Sequence, residues 1–130
     1  MKWNETNYPR IGETVLRTTL PNGLTVAVVP KPLYRKRYAF FTTRYGGVST
    51  GQFSTLNLGT SRGDSMENVL RNYEILGAAV GFSPEEVVHT WQEHTDIILR
   101  VGKSDCGKGL FCNQPDVCDG LITNEPGVAL

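Results

Sequence analysis

The run Asp64-Ser65-Met66-Glu67-Asn68-Val69-Leu70-Arg71-Asn72-Tyr73-Glu74-Ile75-Leu76-Gly77 decides the fold class. Met66, Val69, Leu70, Tyr73 and Leu76 recur at spacings of three and four, which puts them on one face of an α-helix. Asp64 is placed to cap that helix, and Glu67, three residues on, completes a capping box. Gly77 and Gly81 mark its end. The pattern predicts a helix over 64–77 whose face of Val69, Leu70, Tyr73 and Leu76 is buried on a sheet containing residues 38–44.

Toward the N-terminus the periodicity changes. Tyr38 to Arg44 reads as a buried strand carrying Phe40 and Phe41, and Gly46-Gly47 breaks it. Residues 14–20 and 24–29 are apolar runs separated by Pro21-Asn22-Gly23. Asn-Gly is a strong hairpin-turn signal, so the two runs should pair antiparallel. Pro30 and Pro32 stop the second of them. Residues 48–62 are rich in Gly, Ser, Thr and Asn without helical period, and long loops of this kind often carry function. Toward the C-terminus, Ser83-Pro84-Glu85-Glu86 opens a short turn. Val87 to Trp91 looks extended, Ile97 to Val101 reads as a strand, Cys106 to Cys118 as a loop, Leu121 to Thr123 as a short strand, and Gly127 to Leu130 as the start of another. The expected fold is α+β: a mixed sheet with an N-terminal β-hairpin and one main packed helix. The chain stops at Leu130 inside an apolar run, whereas termini more often trail off in polar residues, so it reads as a truncated, partial domain.

Composition narrows the function classes. The 130 residues fit one domain, and 39% hydrophobic with 20% charged residues can build a core. Thirteen basic and thirteen acidic side chains cancel. That balance gives no electrostatic reason to expect nucleic acid or an anionic membrane as partner. The start, MKWNETNYPR, lacks the apolar stretch of a signal peptide. No apolar run approaches the ~20 residues of a membrane span. A cytoplasmic location is the expectation. The basic tract Tyr34-Arg35-Lys36-Arg37 reads as a solvated connector rather than a polyanion site.

Few residues offer chemistry on their own. Cys106, Cys112 and Cys118 make no C-x-x-C pair, and an odd number argues against a closed disulfide framework, so they read as free thiols. Gly102 to Gly109, GKSDCGKG, lacks the spacing of a phosphate-binding loop. The densest polar cluster is Trp91-Gln92-Glu93-His94-Thr95-Asp96. His94 is open to two readings, a ligand or general base at a strand end, or an ordinary loop histidine. His89 lies an odd number of residues earlier, which in an extended segment puts it on the opposite face, so the two should not share a metal and His89 reads as structural. Arg44, before Tyr45-Gly46-Gly47, could fork onto a phosphate or simply pair with a surface acid.

Several motifs in order resemble the laccase-domain (YfiH-like) family. They are Phe41-Thr42-Thr43-Arg44-Tyr45-Gly46-Gly47-Val48-Ser49, Leu56-Asn57-Leu58-Gly59, Gly63-Asp64, Val69 and Asn72 on the helix, and Gln92-Glu93-His94 as a Q-x-H motif. Asp119-Gly120-Leu121-Ile122-Thr123 and Pro126-Gly127-Val128-Ala129-Leu130 complete the set. The family was first described as multicopper polyphenol oxidases and resembles more closely a set of zinc-dependent purine nucleoside phosphorylases with adenosine deaminase side activity. The resemblance implies zinc (copper in the older description) held by the histidine of Q-x-H, a cysteine of an A-D-C motif and a histidine of a later H-x-G-W motif. His94 alone has a counterpart here, so the resemblance assigns His94 to the metal and makes Arg44 and Asn57 candidates for substrate contact. The partners it implies are a purine nucleoside and phosphate, and the chain as it stands should be inactive. Two alternatives stand beside this: a non-catalytic partial domain acting only by binding, and a metallopeptidase relic. The latter arises because residues 7–47, including Asn7-Tyr8-Pro9-Arg10 and Pro21-Asn22-Gly23-Leu24-Thr25-Val26, resemble the first strands of insulinase-type (pitrilysin-like) metallopeptidases, although no H-x-x-E-H motif is present. The expected organisation is a hairpin segment over 1–39 and the first half of a laccase-domain phosphorylase over 40–130.

Overall fold

The fold is organised around one long helix, α1, which spans Met66–Val80. A computed structural model describes residues 16–19, 23–28 and 40–130. The cap of α1 is Ser65 rather than Asp64: the Ser65 hydroxyl accepts the Asn68 N–H at 3.1 Å. Glu67 therefore falls one position short of where a capping box needs it. Asp64 is unavailable for capping because its carboxylate is taken by Ser49, Asn57, the Ser65 N–H and Asn68. The helix continues through Gly77 and ends where Gly81 adopts a left-handed conformation, φ 95°, with its N–H on the Gly77 carbonyl. Glycine alone takes that cap without steric cost.

The apolar face of α1 is shared between two clusters. Leu76 and Ala79 pack with Leu24, Val26 and Leu56, and Phe40 lies against them. Val69 and Tyr73 pack with Val87 and Leu110, with Leu70 half-buried at the margin. Each fully buried Val or Leu contributes roughly 1.5–3 kcal/mol. Packing on both sides, rather than the propensity of a sequence containing Gly77, therefore holds the helix.

On the first side lies a three-stranded antiparallel sheet, β1 (Leu16–Thr19), β2 (Thr25–Val28) and β3 (Phe40–Thr42) in that order. The expected hairpin is present, with Leu16 opposite Val28 and Thr19 opposite Thr25. Gly23 carries φ 86° at the turn, whose residues 20–22 lie outside the described set. β3 ends at Thr42, two residues before the end of the predicted strand over 38–44, of which 38 and 39 lie outside the described residues, and it is not buried on both faces. Phe40 points inward while Phe41 is 72% exposed, because only one face of the sheet meets α1.

On the second side β4 (Ile98–Arg100) and β5 (Gly120–Ile122) pair in parallel, Leu99 opposite Leu121. The extended segment 87–91 forms isolated parallel bridges, Val87 to Ala129 and Trp91 to Val117, and further backbone hydrogen bonds to Gly107 and Lys108. The strand expected over 127–130 is thus a single bridge. The loop 48–62 contains one short 3-10 turn, Gly51–Phe53, and Pro84–Glu86 forms another, with the Glu86 carboxylate accepting the Ser83 N–H. The class is α+β as expected, with the antiparallel and parallel pairs separated into two sheets rather than mixed in one. No helix among the described residues is long and apolar enough to cross a membrane.

Candidate functional site

The extended segment after the Pro84–Glu86 turn brings the candidate residues to the surface. Val87 and Val88 are buried, and the Val88 N–H bonds the Ala129 carbonyl, which draws Leu130 alongside. The result is a hollow of about 290 Å³ lined by Val88 to Thr90, Asp119 to Leu121 and Leu130.

His89 is anchored at three points. Its N–H bonds the Lys108 carbonyl, its own carbonyl accepts from Gln114, and its Nε2 lies 2.5 Å from the Tyr73 hydroxyl. The Tyr73 hydroxyl also donates to the Leu58 carbonyl at 2.9 Å. A phenol has one proton and a carbonyl can only accept. With both contacts satisfied, the proton between the two rings belongs to His89 Nε2. Burial holds the His89 imidazole below its ordinary value and pushes the Tyr73 hydroxyl up. A neutral, fixed imidazole agrees with the structural role expected of His89, although its segment also lines the hollow.

Residues 91–98 are all exposed, His94 among them. His94 has φ 59°, in the left-handed region. Its N–H donates to Asp119 Oδ1 at 2.8 Å, while Asp119 Oδ2 accepts the Thr95 N–H at 2.8 Å and the Thr95 hydroxyl at 2.6 Å. These bonds, the Thr95 hydroxyl first, hold the Asp119 carboxyl below the usual carboxylate range. His94 and Leu130 thus meet through one residue: Asp119 grips the backbone of the first and shares the hollow with the second.

Arg44 and Asn57 sit elsewhere, in the loop preceding α1, and neither lines this hollow. Arg44 is exposed. Its Nε donates to the Ser54 carbonyl at 2.8 Å, and its own carbonyl receives the Thr55 and Leu56 N–H groups. Asn57 donates to Asp64 at 3.0 Å and accepts the Gly59 N–H at 3.1 Å. The hub of this loop is Asn72, fully buried on α1. Its Oδ1 accepts the Val48 N–H at 2.8 Å, and its Nδ2 donates to Ser49 Oγ and the Asn57 carbonyl. The loop closes so tightly on this amide that a Cβ on Gly47 would run into Asn72 Oδ1 and the Thr55 carbonyl. Hydrogen bonds from Ser49 and Asn57 hold the Asp64 carboxyl below its ordinary value.

What sequence reasoning missed is the grip of Asp119 on residues 93–95 and the pairing of Tyr73 with His89. Both act across long sequence separations, and no local spacing announces them. Cys106, Cys112 and Cys118 are free, as expected, and Cys118 is fully buried. Among the described residues no group of three His, Cys, Asp or Glu side chains could hold a metal ion. A catalytic zinc takes three protein ligands. The described residues by themselves therefore do not fit one.

The profile described as multi-copper polyphenol oxidoreductase laccase matches residues 38–130. The chain is 38% identical over 101 residues to purine nucleoside phosphorylase YlmD of Geobacillus stearothermophilus, across 76% of this chain and 37% of that protein. It is 36% identical over 93 residues to a purine nucleoside phosphorylase of Bacteroides thetaiotaomicron, across 70% of this chain and 34% of the relative. The crystal structure of YlmD from Geobacillus stearothermophilus superposes with a TM-score of 0.64 at 31% identity, covering 93% of this chain and 42% of that one. The structure of YfiH from Bacillus licheniformis, at 24% identity, shares the fold with the same TM-score, covering 91% of this chain and 40% of that one. The chain spans little more than a third of the length of the curated relatives it matches. The insulinase-type resemblance finds no support in these matches, and most of residues 7–47 lies outside the described set.

Proposed function

The chain belongs to the multi-copper polyphenol oxidoreductase laccase family, and from that membership we propose that it serves as the first part of a purine nucleoside phosphorylase. The observation that carries the reading is its 38% identity to a relative of that name over 101 residues, beside a family match over residues 38–130 that takes in the helix, the 44–57 loop and the hollow. The reaction is phosphorolysis: phosphate attacks the ribose anomeric carbon and the purine leaves with the bonding electrons. Adenosine and inosine are the proposed substrates, with deamination of adenosine a side activity, in the cytoplasm. In this reading His94 is one of three zinc ligands, and Arg44 and Asn57 make substrate contacts. Exposure of His94 and its tie to the hollow through Asp119 support the first assignment. The proposed organisation keeps a hairpin segment over 1–39 and the family portion over 40–130, with Leu24 and Val26 of the first packing against Leu56, Leu76 and Ala79 of the second.

The absence of a three-ligand cluster among the described residues favours a second reading for the 130-residue chain alone, that it acts only by binding. One experiment separates them. Residues 38–130 replace the aligned segment of the Geobacillus stearothermophilus relative, and phosphate-dependent release of hypoxanthine from inosine and adenine from adenosine is followed. The chimera is expected to release base, to lose at least about a hundredfold in kcat on His94→Ala, and the 130-residue chain to release none. A chimera with native circular dichroism that lacks phosphorolysis, or keeps it without His94, overturns the proposal. Robust release by the 130-residue chain overturns the ligand assignment.

A further inference from the structure

We propose that Asp119 is the positioning residue of this site: Asp119 lines the hollow, and its carboxylate holds the His94 backbone in a left-handed conformation. The inference rests on the reading of His94 as a functional residue. His94 is the one non-glycine residue with positive φ among those described. The eight others in that region, Gly23 through Gly127, are all glycine. An L-residue placed there meets steric opposition that glycine does not, and such a conformation persists only where its surroundings over-determine it. The packing of a core does not supply that determination, because every side chain from Trp91 to Ile98 is exposed. The chain thus carries a strained, solvent-facing imidazole at a position where glycine would relieve the strain and leave the core untouched.

The force that holds it comes from one carboxylate. Asp119 Oδ1 takes the His94 N–H at 2.8 Å. Oδ2 takes the Thr95 N–H at 2.8 Å and the Thr95 hydroxyl at 2.6 Å, with the Glu93 N–H farther off at 3.4 Å. Three successive N–H groups converge on one anion only when the backbone curls into a concave nest, and a left-handed residue makes that curl. The anchor is firm on its own side. The Asp119 N–H bonds the Ile97 carbonyl at 3.0 Å, and the next residue opens β5, paired with β4. A charged acceptor fixed at a strand end therefore sets the geometry of an exposed loop, and bonds to a charged acceptor are the strong kind. Asp119 touches no reacting group in this account; it acts through His94.

The test reads the nest first and the reaction second. In the 130-residue chain, ¹⁵N-resolved NMR should show a strong intraresidue HN–Hα NOE at His94, the mark of positive φ, and slowed amide exchange at His94 and Thr95. Asp119→Asn turns one acceptor oxygen into an NH₂ facing the Thr95 donors. It should abolish that NOE and speed exchange at both amides about tenfold or more, while the amides of 69–76 in α1 keep their protection. Should those helix amides also be lost, Thr95→Val, which removes one of the four bonds, is read in its place, with Thr95→Ser restoring protection. In the phosphorylase chimera, Asp119→Asn should lower kcat for inosine about tenfold or more with KM within about twofold. Persistence of the NOE and of slow exchange in Asp119→Asn overturns the clamp. Loss of the NOE with an unchanged kcat overturns the positioning role. Full activity in the His94→Ala chimera instead removes the reading of His94, and leaves the clamp to be decided by the NMR result alone.

Discussion

Replacing Asn72 tests whether one buried amide organises the loop that carries Arg44 and Asn57. Asn72→Ala deletes three hydrogen bonds, to the Val48 N–H, the Asn57 carbonyl and Ser49 Oγ. Ser49 keeps a partner in Asp64 at 2.6 Å, so two backbone groups are orphaned. An unsatisfied buried group costs about 1–3 kcal/mol, which sums to about 2–6 kcal/mol for the pair. Two effects reduce this. Val48 is 40% exposed, so water can reach its N–H, and alanine is the better helix former by roughly 0.7 kcal/mol at most. The net expectation is a loss of about 2–3 kcal/mol. In urea unfolding followed by the helical dichroism signal, with a slope of roughly 1–3 kcal/mol/M, the midpoint falls by about 0.7–3 M. Asn72→Asp sharpens the result. It keeps an acceptor for Val48 but loses both donors and sets a second carboxylate across Ser49 from Asp64. Its destabilisation at about pH 7 should therefore shrink as the carboxylates protonate. A loss under about 0.5 kcal/mol in Asn72→Ala, or an Asn72→Asp chain as stable as the parent, would refute the reasoning.

Gly47→Ala drives a Cβ into Asn72 Oδ1 and the Thr55 carbonyl, and to 2.7 Å from Leu56 Cα. It should destabilise by at least about 1–3 kcal/mol, measured as a lowered thermal midpoint, and a midpoint within error of the parent counts against the tight closure. Burial depresses the His89 pKa, so the unfolded chain binds the proton more readily than the folded one. The contribution is fully present above the ordinary value of 6.5 and is lost as pH falls from there through the depressed value. Urea titrations across that window should show His89→Gln with a flatter pH dependence than the parent; identical slopes would be the contrary result.

The sequence carried the fold where contacts are local or periodic. The three-four spacing found α1, Asn22-Gly23 found the hairpin, and the Ser83-Pro84 signal found the short turn. It erred where a side chain had a distant engagement. Asp64 has the chemistry of a cap, yet Ser49 and Asn57 claim its carboxylate, and Ser65 takes the end of the helix. Phe41 has the hydropathy of a core residue, yet β3 has α1 on one face only. The strand expected over 127–130 reduces to a bridge because its partner, Val87, meets it through one residue. In the site, His94 was legible from its motif, whereas the carboxylate that shapes its loop lies 25 residues along the chain. Asp119 heads a motif that resembles the family's, yet nothing in that local pattern tells that its carboxylate reaches residues 93–95.

The helix face read from periodicity as a plain apolar stripe is interrupted by Asn72 and the Tyr73 hydroxyl, and those two residues do different things from their neighbours. Val69 and Leu76 fasten α1 to the two clusters on either side. Asn72 holds the loop of Val48, Ser49 and Asn57. Tyr73 holds the next carbonyl of that same loop, Leu58, and touches His89 with the same oxygen. His89 in turn lies in the segment that lines the hollow with Asp119 and Leu130, and Asp119 fixes His94. Polar contacts thus run from the 44–58 loop across the helix as far as His89, and His89 and Asp119 share only the lining of the hollow. The Tyr73 oxygen serves both neighbours with a single proton: donating it to the Leu58 carbonyl leaves that oxygen to act as an acceptor toward His89 Nε2.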